Sequence, residues 1–142
     1  MPIDNIFGIA GSALNAQMAR MNAVASNLAN SSTVAGTEGG AFRAKRTIFK
    51  AVMAEQTQAP RDQTYQGGVK VDALIDDPSP IRRVSDPGNP LADKEGFVYL
   101  SNVNEMTEMV EMMAASRSYQ NNVEVINTTR QLMLRTLDIT RS

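Results

Sequence analysis

The stretch IDNIFGIAGSALNAQMARMNAVASNLAN, residues 3–30, decides the fold. Within it Ile3, Phe7, Ala10, Leu14, Gln17, Met21, Val24 and Leu28 recur at alternating steps of four and three. That spacing holds one helical face apolar through successive turns, interrupted only by Gln17. It predicts one helix over residues 1–30, about 40 Å long at ~1.5 Å rise per residue. Asp4 is placed to cap the helix or to complement its positive end, and Asn30-Ser31-Ser32 ends the pattern. Gly8 and Gly11 each cost about 1 kcal/mol relative to Ala. A solvated helix carries charge opposite its apolar stripe, yet this stretch offers only Asp4 and Arg20. Small residues all round point to a helix pressed on several sides; an ordinary core helix is the alternative.

Residues 101–142 predict a second, longer helix. Asn102 followed by Glu105 resembles a capping box. Glu105, Glu108 and Glu111 stand near its start and Arg130, Arg135 and Arg141 near its end, the polarity a helix dipole favours. Met109, Met113, Ser116, Gln120 and Val123 continue the four–three spacing, which then drifts to Ile126, Met133 and Leu137. Such drift is expected when a 3.6-residue helix is read on a seven-residue ruler.

The intervening 31–100 has another texture. Val34–Gly40 reads as a Gly-rich connector, and Phe42–Met53 mixes basic and apolar residues without a clean period. Pro60–Gly68 reads as a loop. Val69, Val71, Ala73 and Ile75 alternate with polar neighbours and predict a strand. Turns at Asp76–Pro80 and Asp86–Pro90 separate it from two short strands, Ile81–Val84 and Gly96–Leu100. The fold class is therefore α+β: 1–30 and 101–142 as long helices pairing in an antiparallel coiled coil, with a small β-rich insert, 31–100, between them.

Composition narrows the chemistry. The 142 residues contain no Cys, His or Trp, so disulfides, thiol nucleophiles and imidazole catalysis are excluded, and zinc sites are not expected. Asp76, Asp77 and Asp86 each lie in a Pro-containing turn, where Asp is favoured for local hydrogen bonding, and lack the spacing of a calcium loop. Gly39-Gly40 and Gly67-Gly68 match no phosphate-binding loop and read as hinge or turn glycines. Arg43, Lys45, Arg46 and Lys50, interleaved with Phe42 and Phe49, could touch a nucleic-acid strand. The net charge of −1 favours instead a solvated face or pairing with acidic neighbours. Residues 31–70 carry more basic than acidic side chains, and 71–100 reverse this. No run approaches the ~20 apolar residues that span a bilayer, and no cleaved leader is expected, since the N-terminus lacks a basic region followed by an apolar one. No catalytic, cofactor or metal residues are assigned.

Motifs at both ends carry a resemblance. Met21-Asn22 with Ala25-Ser26-Asn27-Leu28-Ala29-Asn30, and Glu108-Met109-Val110-Glu111-Met112 with Ser116-Arg117-Ser118-Tyr119-Gln120, Asn122 and Val123, resemble the paired terminal motifs of the bacterial flagellar rod and hook proteins. In the middle, Asp76-Asp77-Pro78-Ser79-Pro80, Asp86–Asp93, Gly96-Phe97-Val98 and Asn102-Val103-Asn104 resemble the proximal-rod members of that family. Asn89 and Ser101 depart from the family pattern, which has His and Pro there.

The resemblance implies a self-assembling structural subunit of the axial rod, which crosses the periplasm and transmits torque. It also implies export by the flagellar type III apparatus without leader cleavage. Expected partners are other proximal-rod proteins, the rod–ring adaptor and the distal rod, in a helical assembly of like and unlike subunits, with neither nucleic acid nor membrane insertion. The residues expected to form the axial interface are Ile6, Phe7, Ala10, Leu14, Met21, Val24, Asn27 and Leu28 at one end. At the other they are Met109, Met113, Ser116, Tyr119, Gln120, Val123, Ile126, Met133 and Leu137. The competing expectation is a helical-hairpin adaptor or binding module that forms a discrete dimer.

Overall fold

A computed structural model describes residues 3–52 and 67–141, with only the backbone of residues 3, 4, 140 and 141 described. The chain runs α1 (Ile3–Ala29), β1 (Val34–Ala35), a 3-10 turn (Glu38–Gly40), β2 (Lys45–Ala51), β3 (Val69–Asp76), β4 (Arg82–Ser85), β5 (Phe97–Leu100) and α2 (Glu105–Arg141). This is α+β: a long helix at each end and small antiparallel sheets between. The side chain expected of Asp4 as a cap and most of the Pro60–Gly68 loop lie outside the described residues.

The insert is two sheets. In the first, β5 lies between β1 and β4, with Val34 and Arg82 both opposite Leu100. The loop from β4 to β5 is held by Asp93, whose Oδ1 accepts the N–H groups of Glu95 and Phe97 at 2.9 Å. The Phe97 N–H bond is the main reason its carboxyl lies below the usual carboxylate range. Arg83 packs over the Phe97 ring, 3.8 Å from its centroid.

The second sheet is a β2–β3 ribbon. Ile48 faces Ala73 but Phe49 faces Val71, so Asp72 is the extra residue of a bulge. A two-stranded ribbon is marginal alone, and this one leans on α1. Ser12 Oγ accepts the Val69 N–H at 3.1 Å, and Gly67 and Gly68 sit at φ 103° and 141° against Ile9 and Ser12. Both glycines adopt a backbone conformation in which a side chain would be strained, and a Cβ on Gly68 would also lie 2.8 Å from Ser12 Oγ on α1.

Two features differ from the sequence expectation. The stretch read as aperiodic contains β2, whose far half is exposed on both faces and so shows no alternation. The N-cap of α2 is Asn104 rather than Asn102: its Oδ1 accepts the Thr107 N–H at 3.1 Å. Asn102 is drawn away by other partners, described below.

Two glycines separate packing from space. A Cβ on Gly36 would lie 2.7 Å from the Leu91 carbonyl oxygen, whereas one on Gly11 would meet nothing within 4 Å. Gly36→Ala is expected to destabilise by about 1–3 kcal/mol through overpacking, and Gly11→Ala to stabilise by up to about 1 kcal/mol through helix propensity. Urea unfolding of the two variants checks this; equal effects would contradict it.

Candidate functional site

The two helices meet the insert at one end, in a cluster of polar side chains. It is built around the backbone of Ala44 and Lys45, where the chain enters β2. Ala44 has no exposed surface, so its peptide groups need partners within the protein. The Ala44 N–H donates to Asn102 Oδ1 at 2.8 Å and its carbonyl accepts the Asp77 N–H at 2.8 Å. The Lys45 N–H donates to Asn27 Oδ1 at 2.7 Å, and the Lys45 carbonyl accepts from Asn27 Nδ2 at 3.0 Å. Two asparagines, one from α1 and one from the approach to α2, thus serve as neighbouring strands. Asn102 Nδ2 also donates to the Asp77 and Ser79 carbonyls, both at 3.1 Å.

Asn27 spends its remaining donor on Glu108 Oε2, 2.9 Å away. Both residues are 0% exposed. A buried carboxylate requires opposite charge, and Arg46 Nη1 supplies it at 2.6 Å from Glu108 Oε1. Arg46 Nε reaches Asp77 Oδ2 at 3.2 Å. Burial disfavours the Arg46 charge, but Glu108 and then Asp77 outweigh it, and its pKa is raised. Asp77 is held below the ordinary carboxylate range, first by the Ser79 hydroxyl and then by the Ser79 N–H. Further out, Ser31 Oγ donates to Glu105 at 2.7 Å and Arg20 pairs with Glu111. Contacts from Ser31, Asn27 and Arg20 to Glu105, Glu108 and Glu111 run in opposite chain order along the two helices.

The basic stretch is absorbed in the same region. Arg43 pairs with Glu38, Lys45 with Asp76, and Arg46 with Asp77 and Glu108. The opposite charge balances of 31–70 and 71–100 thus meet across the ribbon. Among the described residues no group of acidic side chains is arranged to hold a metal ion, and no helix is long and apolar enough to cross a membrane.

The expected interface residues fall into three groups. Ala10, Val24 and Asn27 are buried, and Asn27 is wholly committed inside the chain. Ile6, Phe7, Leu14, Met21, Leu28, Ser116, Tyr119, Val123, Ile126 and Met133 are half-buried. Met109, Met113, Gln120 and Leu137 are exposed. The covered face of α2 is instead Glu108, Met112, Ala115, Tyr119, Asn122, Ile126, Thr129 and Met133, again at steps of four and three. Over its first four turns it lies one residue, about 100°, from the stripe read in the sequence. The apolar stripe read in the sequence runs through Met109 and Met113, whereas Asn27 and Arg46 draw Glu108 into the fold. Sequence reasoning read Arg46 in a basic stretch, Asp77 in a turn and Asn102 as a cap, but did not bring them together; the signal available was an Asn or Asp beside each predicted element boundary.

α2 leaves apolar side chains exposed near both of its ends. Met106, Met109, Val110 and Met113 are exposed near its start, and Leu132, Leu134, Leu137 and Ile139 near its end. Such exposure along one helix exceeds the scattered apolar residues of an ordinary surface.

Comparison with known proteins gives matches at both ends and over the whole chain. Residues 7–36 match the family "Flagella basal body rod protein" and residues 94–139 match "Flagellar basal body rod FlgEFG protein C-terminal". The chain is 52% identical to the flagellar basal-body rod protein FlgC of Yersinia enterocolitica over 98% of each chain. It is 49% identical to that of Salmonella typhimurium and 43% identical to that of Buchnera aphidicola from Acyrthosiphon pisum, again over 98% of each.

Asn27→Ala is expected to cost about 2–3 kcal/mol, because the Lys45 peptide and Glu108 lose buried partners. Asn27→Asp is expected to cost more, since it sets a second carboxylate against Glu108. Urea midpoints check both; losses below about 0.5 kcal/mol, typical of a surface change, would contradict the burial argument. Asp77 adds a pH dependence. Its folded pKa is depressed, so its contribution is present above the unfolded value near 3.8 and is lost as pH falls through the lower folded value. Asp77→Asn is expected to flatten the acid-side fall in stability below about pH 4, measured by urea unfolding from pH 2 to 6.

Proposed function

The chain belongs to the flagellar basal-body rod protein FlgC family, and we propose that it joins the rod through the faces of α1 and α2 that its own fold leaves open. It is a structural rod subunit of the flagellar basal body, not an enzyme. The observation that carries the proposal is the apolar side chains that α2 leaves exposed near both of its ends. Burial at ~25 cal/mol per Å² of apolar surface makes covering them a strong drive to associate. Met is abundant there and adapts to unlike surfaces, which suits a subunit with several different neighbours.

In this reading residues 1–30 and 101–142 are the assembling parts, pairing with each other as an antiparallel coiled coil, and 31–100 is the insert they carry. A contact between unlike faces, repeated with a fixed rotation, generates a helical filament. Close-packed helices resist twist, so the same contacts make the rod stiff enough to carry torque. The neighbours are other proximal-rod proteins, the rod–ring adaptor and the distal rod. The subunit reaches its place in the periplasm through the flagellar type III export apparatus.

Met113 is 59% exposed, so Met113→Asp is expected to change subunit stability by less than about 0.5 kcal/mol while abolishing rod assembly. Leu14→Asp and Val123→Asp, at half-buried positions, are expected to block assembly as well. The check is motility and basal-body recovery in cells expressing each variant. Normal swimming by Met113→Asp cells would overturn the proposed interface.

A further inference from the structure

The clasp of Asn27, Arg46 and Glu108 fixes which side of α2 looks away from the protein. Glu108 is wholly buried. Steps of three and four residues place Met106, Met109 and Met113 together on the opposite side of the helix. Their exposures are 72%, 52% and 59%. Met112, by contrast, lies on the covered face and is half-buried, as are Met21 on α1 and Met133 farther along α2. The 142 residues include nine Met and no Cys, so no thiol takes up an oxidant in place of the thioethers. Oxidation of a thioether to the sulfoxide follows exposure, and it turns an apolar side chain into a polar one.

We propose that Met106, Met109 and Met113 are a modification site, at which a hydroperoxide closes the joining face of the unassembled subunit and a dithiol reductase reopens it. The sulfur lone pair attacks the outer oxygen of the hydroperoxide. A sulfur–oxygen bond forms and the oxygen–oxygen bond breaks. The proton on the attacked oxygen passes to the departing alkoxide or hydroxide, which leaves as alcohol or water. The sulfur loses two electrons and the peroxide gains them. In the return step a dithiol removes the oxygen as water and becomes a disulfide. Because the three side chains point away from Glu108, the added oxygen meets solvent rather than the fold. The clasp and the insert are left as they were, and only the surface offered to a neighbour changes. A sulfoxide oxygen pressed into an apolar contact lacks a donor, which opposes burial, so an oxidised subunit does not join. The site rests on the reading that this face is covered in the rod; it adds that the face is chemically switchable before it is covered.

The test begins with the full-length subunit in hydrogen peroxide, with oxidation of each methionine followed by peptide mass spectrometry. Met106, Met109 and Met113 are expected to oxidise about fivefold faster than Met21, Met112 and Met133; equal rates for all six would overturn the site. Basal bodies are then counted in cells that lack methionine sulfoxide reductase, with and without sublethal peroxide. Peroxide is expected to lower the count about tenfold in the wild type. In the triple variant Met106→Leu, Met109→Leu, Met113→Leu, measured against its own untreated culture, the fall is expected to stay below about twofold. Wild-type cells indifferent to peroxide, or an equal fall in both strains, would sink the switch and leave the joining face standing. The triple variant Met106→Gln, Met109→Gln, Met113→Gln carries a polar amide in place of each sulfoxide and needs no peroxide. It is expected to keep the wild-type urea midpoint and to lose basal bodies; normal numbers would overturn the proposed interface and the switch with it.

Discussion

The hydrogen bond between the Asn27 carboxamide and the Glu108 carboxylate joins the beginning and end of the chain. Everything at that end of the molecule is arranged so that this buried carboxylate can exist. Arg46 neutralises it from β2, and Asp77 in turn holds Arg46 from the turn after β3. Asn27 and Asn102 satisfy the peptide groups on which β2 begins. Half-satisfied, such a network would be worse than an apolar core. Satisfied, it fixes one geometry for two helices and two sheets, because each polar group has one place to go.

That constraint decides what is left outside. With Glu108 turned inward, Met109 and Met113 turn outward, since neighbouring residues on a helix point about 100° apart. A helix whose first turns were set by apolarity alone would hide its methionines and have nothing to offer a neighbour. At the far end, α2 is 37 residues long against 27 in α1. Paired from the clasp, it outreaches α1 by about 15 Å and carries Leu132, Leu134, Leu137 and Ile139 into the open. The polar clasp and the apolar exposure are thus two consequences of one register.

Both long helices were legible in the sequence, because a period near 3.6 persists far beyond any chance run. The strands at Val69–Asp76, Arg82–Ser85 and Phe97–Leu100 were legible to within a residue, since alternation and turn residues bound them. β2 was not, because its far half, Ile48 and Phe49 included, is exposed on both faces and shows no alternation. That Glu108 faces inward was not legible, because Glu is expected at the surface and only the fold brings Asn27 and Arg46 to it. Asn102 and Asn104 are equally good caps by type, and the peptide of Ala44, far away in sequence, chooses between them.

A density map of an isolated basal body, with this chain traced in it, tests the central claim most directly. The account predicts Met106, Met109, Met113, Leu134 and Leu137 buried against neighbouring subunits, and Asn27 still bonded to Glu108 within the chain. A map in which those side chains face solvent while the insert alone touches its neighbours would contradict it.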